Sequence, residues 1–251
     1  MKLTIESIDV GRGSEVHHVY TDHVNWTLLR DDDGITLIDA GYPGHADLVV
    51  DSIRMIGGTP EAVVAGLLTH AHVDHIGGLA KLAGRYGFPV YTDEIEVAHA
   101  RRKRLEQAGP LDIARMAYRP RAISWLVEVL PLGVLSRAGV DDAQGVAAGV
   151  PLDLPGRPVL VPSHGHTSGH AAFLVADGRG LVSGDALITG HRVSGMTGPQ
   201  RIPRGFDHDR AEAAQALIGF THLDSDLLLP GHGPFMRVSV AKAAEQALSQ
   251  E

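Results

Sequence analysis

Four side chains able to bind a metal fall within the six positions His70-Ala71-His72-Val73-Asp74-His75. Three later turns each place another such residue in a glycine-rich setting: Ser163-His164-Gly165-His166-Thr167-Ser168-Gly169-His170, Ser183-Gly184-Asp185, and Pro230-Gly231-His232-Gly233. The chain has fifteen histidines and no cysteine. Thiolate ligands, thiol nucleophiles and disulfides are therefore excluded, and imidazole and carboxylate remain for Zn, Fe, Mn or Ni. Any of these histidines taken alone would read as a packed structural residue. The tight His-x-His-x-Asp spacing reverses that reading for His70, His72 and Asp74.

Each of these polar turns follows an apolar run. Ala62 to Leu68, Val159 to Val161, Leu181-Val182 and Asp226 to Leu229 are short, bounded and partly β-branched, so they read as buried strands. Strand ends gather residues distant in sequence into one cleft, and glycine lets the backbone turn sharply there. Upstream, strands are expected around Leu3–Ile8, Val16–Tyr20, Asn25–Arg30 and Ile35–Ile38, the last pair joined by an Asp-Gly turn. Helices are expected over 45–56, 78–86, 209–220 and 240–248, the last capped by Ser239. A further short strand is expected at Phe88–Tyr91. From Asp93 to about Gly139 the pattern turns helical but carries too little apolar material for its own core. It is expected to be a helical cap inserted into a single domain spanning 1–251, with Ile123, Trp125, Leu126, Val129, Leu130 and Leu132 turned toward the body. Strands with a helix, an insertion, then strands with a helix fit an α+β sandwich of two sheets between flanking helices.

With these motifs in this order, the chain resembles the metallo-β-lactamase-like, glyoxalase II-like metallo-hydrolase superfamily over essentially its whole length. The family's His-x-His-x-Asp-His motif corresponds to His70, His72, Asp74 and His75. Its Gly-His-Thr turn corresponds to His166, its Gly-Asp turn to Asp185, and its Pro-Gly-His-Gly turn to His232. The resemblance implies a four-layer αβ/βα sandwich and two divalent ions, zinc in the first place, with iron or manganese as alternatives. His70, His72 and His166 would bind one ion, Asp74, His75 and His232 the other, and Asp185 would bridge them. It implies a dinuclear hydrolase in which a bridging hydroxide attacks a carbonyl of a thioester, lactone or ester, with Asp74 relaying a proton. Asp39 and His170 would stand behind the ligands and orient them. The alternative on the same fold is a mononuclear iron sulfur (persulfide) dioxygenase; a β-lactamase, a phosphodiesterase or a binding protein with a dormant site ranks lower.

The other histidines, among them His17, His18, His23, His45, His99, His208 and His222, are expected at the surface or behind ligands. His164 and His191 lie beside ligand turns. The cap and the loop from Gly190 to Phe206 would wall the pocket, with Arg192, Arg201 and Arg204 expected in solvent. Tyr42 is expected to pack. With 44% apolar and 21% charged residues the composition is that of an ordinary globular chain, and the net charge of −8 argues against a nucleic-acid partner. No window is long and apolar enough to span a bilayer, and the opening Met1–Glu6 lacks an apolar signal core. The expectation is a cytoplasmic enzyme acting on a small molecule, with the apolar cap open to a homodimer contact.

Overall fold

The computed structural model describes residues 3–11, 13–107 and 120–250. β1 (Thr4–Gly11), β2 (Ser14–Tyr20), β3 (Asn25–Asp31) and β4 (Gly34–Ile38) form an antiparallel meander. After α1 (Ala46–Met55), β5 (Val63–Leu67) pairs parallel to β4. β5 leads through the histidine motif into α2 (Val73–Tyr86), and β6 (Val90–Asp93) and β7 (Gln144–Val146) complete a seven-stranded sheet. Between β6 and β7 lie α3 (Val97–Ala100) and α4 (Pro120–Val129). β8 (Val159–Pro162), β9 (Ala171–Val175), β10 (Gly180–Gly184), β13 (Leu227–Pro230) and β14 (Met236–Arg237) form a five-stranded sheet in the order β14-β13-β10-β9-β8. β11 (Ile188–Gly190) pairs with β12 (Thr197–Gln200), and α5 (Arg210–Phe220) and α6 (Val240–Leu248) close the chain.

The two-residue period of the strands sorts their side chains into layers. Leu28, Leu37 and Leu68 pack outward against Val49 and Ile53 of α1 and Ile76, Leu79 and Leu82 of α2. Their neighbours Leu29, Ile38 and Leu67 face the other sheet and meet Leu160, Phe173, Val182, Leu227 and Leu229. On the far side of that sheet, Ala172, Leu181 and Leu228 pack on Leu217 and Phe220 of α5 and on Val240, Ala243 and Ala247 of α6. Helices, sheet, sheet, helices: this is the four-layer sandwich expected, with helical insertions.

Two expectations change. α2 begins at Val73, with His72 as its N-cap, rather than at Gly78, so Asp74 and His75 sit in its first turn. Gly77 and Gly78 inside this helix serve close packing: an added Cβ on Gly78 would lie 2.0 Å from the Ala40 carbonyl oxygen. On α4 and the turn after it, Trp125, Val129 and Leu132 are buried beside Tyr42 and Val73, with Leu126 partly buried, whereas Ile123 and Leu130 are about half exposed. Only one stripe of a helix can face the body, and the spacing Ala122, Trp125, Val129 selects it. Part of the segment read as helical, 108–119, lies outside the described residues. Among the described residues, no helix is long and apolar enough to cross a membrane.

Candidate metal centre

The ends of β5, β8, β10 and β13 all point to one cleft, where the turns after them bring the seven candidate ligands together. Three sets of ligand atoms fall within 4.8 Å of one another: His70, His72 and His166; His70, His75 and Asp185; and Asp74, His75 and His232. Asp185 lies between the outer two sets. Its Oδ1 is 3.3 Å from His75 Nε2, and its Oδ2 is 3.3 Å from His232 Nε2, 3.4 Å from His166 Nε2 and 3.9 Å from His70 Nε2. Asp74 lies 3.4 Å from His232 Nε2 and 4.0 Å from His75 Nε2. The turn that carries Asp185 needs glycine: Gly184 has φ +50°, and a Cβ there would sit 2.6 Å from His170 Nε2.

Every candidate ligand histidine is held by its other ring nitrogen. His75 Nδ1 donates to Asp39 Oδ2 at 2.8 Å, and Asp39 also accepts from the Thr69 backbone N–H and hydroxyl. His232 Nδ1 donates to the His23 carbonyl at 2.6 Å. His166 Nδ1 lies 3.3 Å from Asp207 Oδ1, and His70 Nδ1 lies 3.1 Å from the Thr69 hydroxyl. His72 is turned the other way. Its Nε2 donates to the Glu106 carbonyl at 3.2 Å, so Nδ1 faces the cluster, 3.0 Å from His166 Nε2. His170 has no nitrogen to spare: Nδ1 meets the Ser163 hydroxyl and Nε2 accepts the Asp185 backbone N–H.

That pattern tests the fit to metal. His70 Nε2, His75 Nε2 and Asp185 Oδ1 are buried with no hydrogen-bond partner, and all three point into the cluster. Orphaned buried polar atoms are costly, and divalent ions coordinated by nitrogen and oxygen would satisfy them together. The two His/Asp clusters are consistent with a dinuclear site. Without metal, protons take that role. Burial pushes His232 down, but Asp185 and Asp74 outweigh it and raise it to about 10. His75 is likewise raised well above the usual imidazole value by Asp185, Asp39 and Asp74 against its burial. In return, the charges of His75 and His232 overcome burial and hold Asp74 and Asp185 below the usual carboxylate range.

Several contributors left no mark in the sequence pattern. Buried Glu96 accepts from the Ala71 backbone N–H at 2.7 Å, from His99 Nδ1 at 2.9 Å, from the Thr167 hydroxyl at 2.9 Å and from the Gly169 N–H at 3.2 Å. It thereby ties the His70–His72 loop to the His166 turn. Glu106 continues the tie, its carboxylate taking both the backbone N–H and the hydroxyl of Ser168 at 2.7 Å. Asp207, behind His166, was equally silent. His18, His45 and His99 lie in the interior rather than at the surface, each held through Nδ1: His18 at the Thr27 hydroxyl, His45 accepting from the Tyr42 backbone N–H, and His99 donating to Glu96. Arg201 is also buried, its guanidinium donating to the Arg210 carbonyl; Arg192 is exposed and pairs with Glu128 on α4 at 2.6 Å.

The pocket over the cluster is lined by Val73, Trp125, Val134, Ile202 and Phe206, with Tyr42, Gln107 and His191 as polar members. Its walls thus come from α4, the turn after it and the 190–206 loop. Tyr42 is buried there, and burial together with Asp74 and Asp185 keeps its phenol protonated.

A family model described as the metallo-beta-lactamase superfamily matches residues 19–232. The probable metallo-hydrolase YflN of Bacillus subtilis (strain 168) is 32% identical over 253 residues, covering 92% of this chain and 90% of that protein. A hydroxyacylglutathione hydrolase of Xanthomonas campestris pv. campestris is 33% identical over 170 residues, covering 68% of this chain but 48% of its own length. The chain thus matches about half the length of that relative. Among solved structures, a motif mutant of a metallo-beta-lactamase from Cronobacter sakazakii superposes with a TM-score of 0.67 at 18% identity, covering 97% of this chain and 94% of that one. A subclass B3 metallo-beta-lactamase from a soil metagenome library gives 0.65 at 18% identity, covering 96% and 92%. At these identities the structural likeness speaks for the fold.

Proposed function

Because the chain belongs to the metallo-β-lactamase superfamily and is a metal-dependent hydrolase, we propose that it cleaves a carboxylic ester bond, as thioester, lactone or simple ester, at a two-metal centre. The observation that carries this reading is the set of orphaned atoms His70 Nε2, His75 Nε2 and Asp185 Oδ1, buried at the meeting of two complete ligand clusters. On this reading His70, His72 and His166 hold one ion, and Asp74, His75 and His232 hold the other. Asp185, at 3.3–3.4 Å from nitrogens of both sets, is the shared carboxylate that offsets the repulsion between two cations. Zinc fits the nitrogen-rich donor set, with iron or manganese as alternatives. Two such ions supply Lewis acidity toward a carbonyl and a water that is nucleophilic near neutral pH.

The chain's own residues do the rest. Asp39, Asp207 and the His23 carbonyl fix the rings of His75, His166 and His232. Asp74, at the edge of the cluster, would take the proton given up as water attacks and pass it toward the leaving group. The segment 93–139 acts as a cap on a single catalytic domain, and with the 190–206 loop it offers Trp125, Val134, Ile202 and Phe206 to an apolar acyl or alcohol portion of the substrate. The substrate is a small molecule.

The test is a metal count followed by a panel of thioesters, lactones and simple esters on zinc- or manganese-loaded protein. Two ions per chain and acid release from at least one class are expected. Asp185→Asn should lose activity and one ion. No turnover across the panel with two ions bound would sink the reading; a single iron per chain would favour a sulfur dioxygenase instead.

A further inference from the structure

His191 lies six positions beyond Asp185, at the end of β11, and takes no part in either ligand cluster. Its ring lines the pocket, 4.9 Å between centroids from His232, 5.5 Å from Phe206 and 6.2 Å from Trp125. The Val193 backbone N–H donates to its Nδ1 at 3.2 Å. A backbone N–H can only donate, so Nδ1 is the acceptor and the neutral ring carries its proton on Nε2. That assignment has two consequences. A protonated Nε2 cannot ligate a metal, so His191 is no eighth ligand. It is also a hydrogen-bond donor without a partner among the described residues, on a ring that forms part of the pocket wall.

We propose that His191 presents its Nε2–H to an oxygen of the substrate on the His232 side of the centre, one on which negative charge grows as the ester bond breaks. The donor is fixed before substrate arrives. The Val193 N–H sets the tautomer, and the flanking rings of His232, Phe206 and Trp125 set the plane. Pre-set donors in a desolvated pocket act mainly on the transition state, because they need no reorganisation as charge develops. No proton is transferred; His191 stays neutral throughout. The assignment rests on the ester-hydrolase reading for the identity of the oxygen, but not for the tautomer.

Two measurements separate these. Long-range proton–nitrogen correlation spectra of the zinc-loaded full chain, with His191 assigned by its loss in His191→Phe, should show a neutral ring protonated on Nε2. Butyrate, a carboxylate product of the proposed reaction, should shift that Nε2–H. A ring protonated on Nδ1, or a zinc-ligated Nε2, overturns the proposal whether or not any ester is turned over. On an ester that the wild type does cleave, His191→Phe keeps the ring packing and removes the donor. It should lower kcat roughly tenfold to a hundredfold with little change in KM, and His191→Gln, which restores an N–H donor, should recover part of the loss. Unchanged kcat in the Phe variant overturns the proposal while leaving the ester-hydrolase reading intact; no turnover by the wild type removes that reading and leaves the tautomer spectrum to decide.

Discussion

A buried histidine in this chain is one of two kinds, and its partners decide which. His75 and His232 face carboxylates and stay charged without metal, whereas His18 on β2 faces only the Thr27 hydroxyl, 3.0 Å from its Nδ1. Burial alone therefore pushes His18 down to about 3. Between pH 6.5 and about 3 the unfolded chain binds a proton there that the fold refuses, so stability is full well above 6.5 and falls as the pH drops. His18→Asn keeps a side-chain hydrogen-bonding group toward Thr27 and abolishes the titration. Between pH 6.5, where the unfolded histidine is half protonated, and pH 5 the wild type should lose about 1.6 kcal/mol more than the variant, the slope approaching about 1.4 kcal/mol per pH unit. Urea denaturation of both proteins at those two pH values checks it, and parallel pH profiles would refute it. At this scale the clustering of the candidate ligands was legible, because His-x-His-x-Asp-His and the glycine turns are patterns. Asp207, Glu96 and the His23 carbonyl were not. An isolated carboxylate or a backbone oxygen has no spacing to read, and becomes a partner only once the fold brings a histidine to it.

The elements tell the same story in another register. Long periodic segments such as α1, α5 and α6, the later part of α2 and the strands of the opening meander were readable, since a buried face must repeat along them. β7, β11, β12 and β14 span only two to four residues each, too short for a period, and tertiary pairing alone makes them strands. The same holds for the strap from β6 to Glu106. Its sequence reads as helix, yet its role lies in Glu96, whose carboxylate receives three donors from the two loops of the His70, His72 and His166 set and a fourth from His99 on α3. Glu96→Gln turns one accepting oxygen into an N–H₂ that faces donors and leaves buried groups unpaired. We expect metal affinity at that set to fall roughly tenfold to a hundredfold, the usual effect of losing a group behind the ligands, with the Asp74, His75 and His232 set retained. Chelator competition followed by a metal count reads this out. Equal weakening of both ions would show that Glu96 holds the fold rather than one side of the centre.

Across the whole molecule, the candidate ligands are divided between the two sheets. His70, His72, Asp74 and His75 follow β5 of the seven-stranded sheet, while His166, Asp185 and His232 follow β8, β10 and β13 of the five-stranded one. The sheets are held together by the apolar layer between them and by direct hydrogen bonds such as that from Asn25 on β3 to the Pro230 carbonyl on β13, and a metal pair at this junction would add a cross-link through nitrogens and oxygens that otherwise lack partners. Protons on His75 and His232 let the metal-free chain balance the charge of Asp74 and Asp185, so removing metal should loosen the sandwich without unfolding it. With both imidazoles raised, that proton-based support is full below about pH 6.5 and fades as the pH climbs toward about 10. Metal present at a hundred times its dissociation constant adds about 2.7 kcal/mol, which for a chain of this size raises Tm by on the order of 5–10 °C. Chelation at pH 7.5 should therefore lower Tm by that amount while far-ultraviolet circular dichroism is unchanged. The gap should widen at pH 9, as the proton substitute is withdrawn from the metal-free form. Hydrogen exchange should rise at the turns carrying His72, His166, Asp185 and His232, and stay slow in β3, β4 and β9. If chelation removes two ions and neither Tm nor exchange at those turns moves, the centre does not link the sheets.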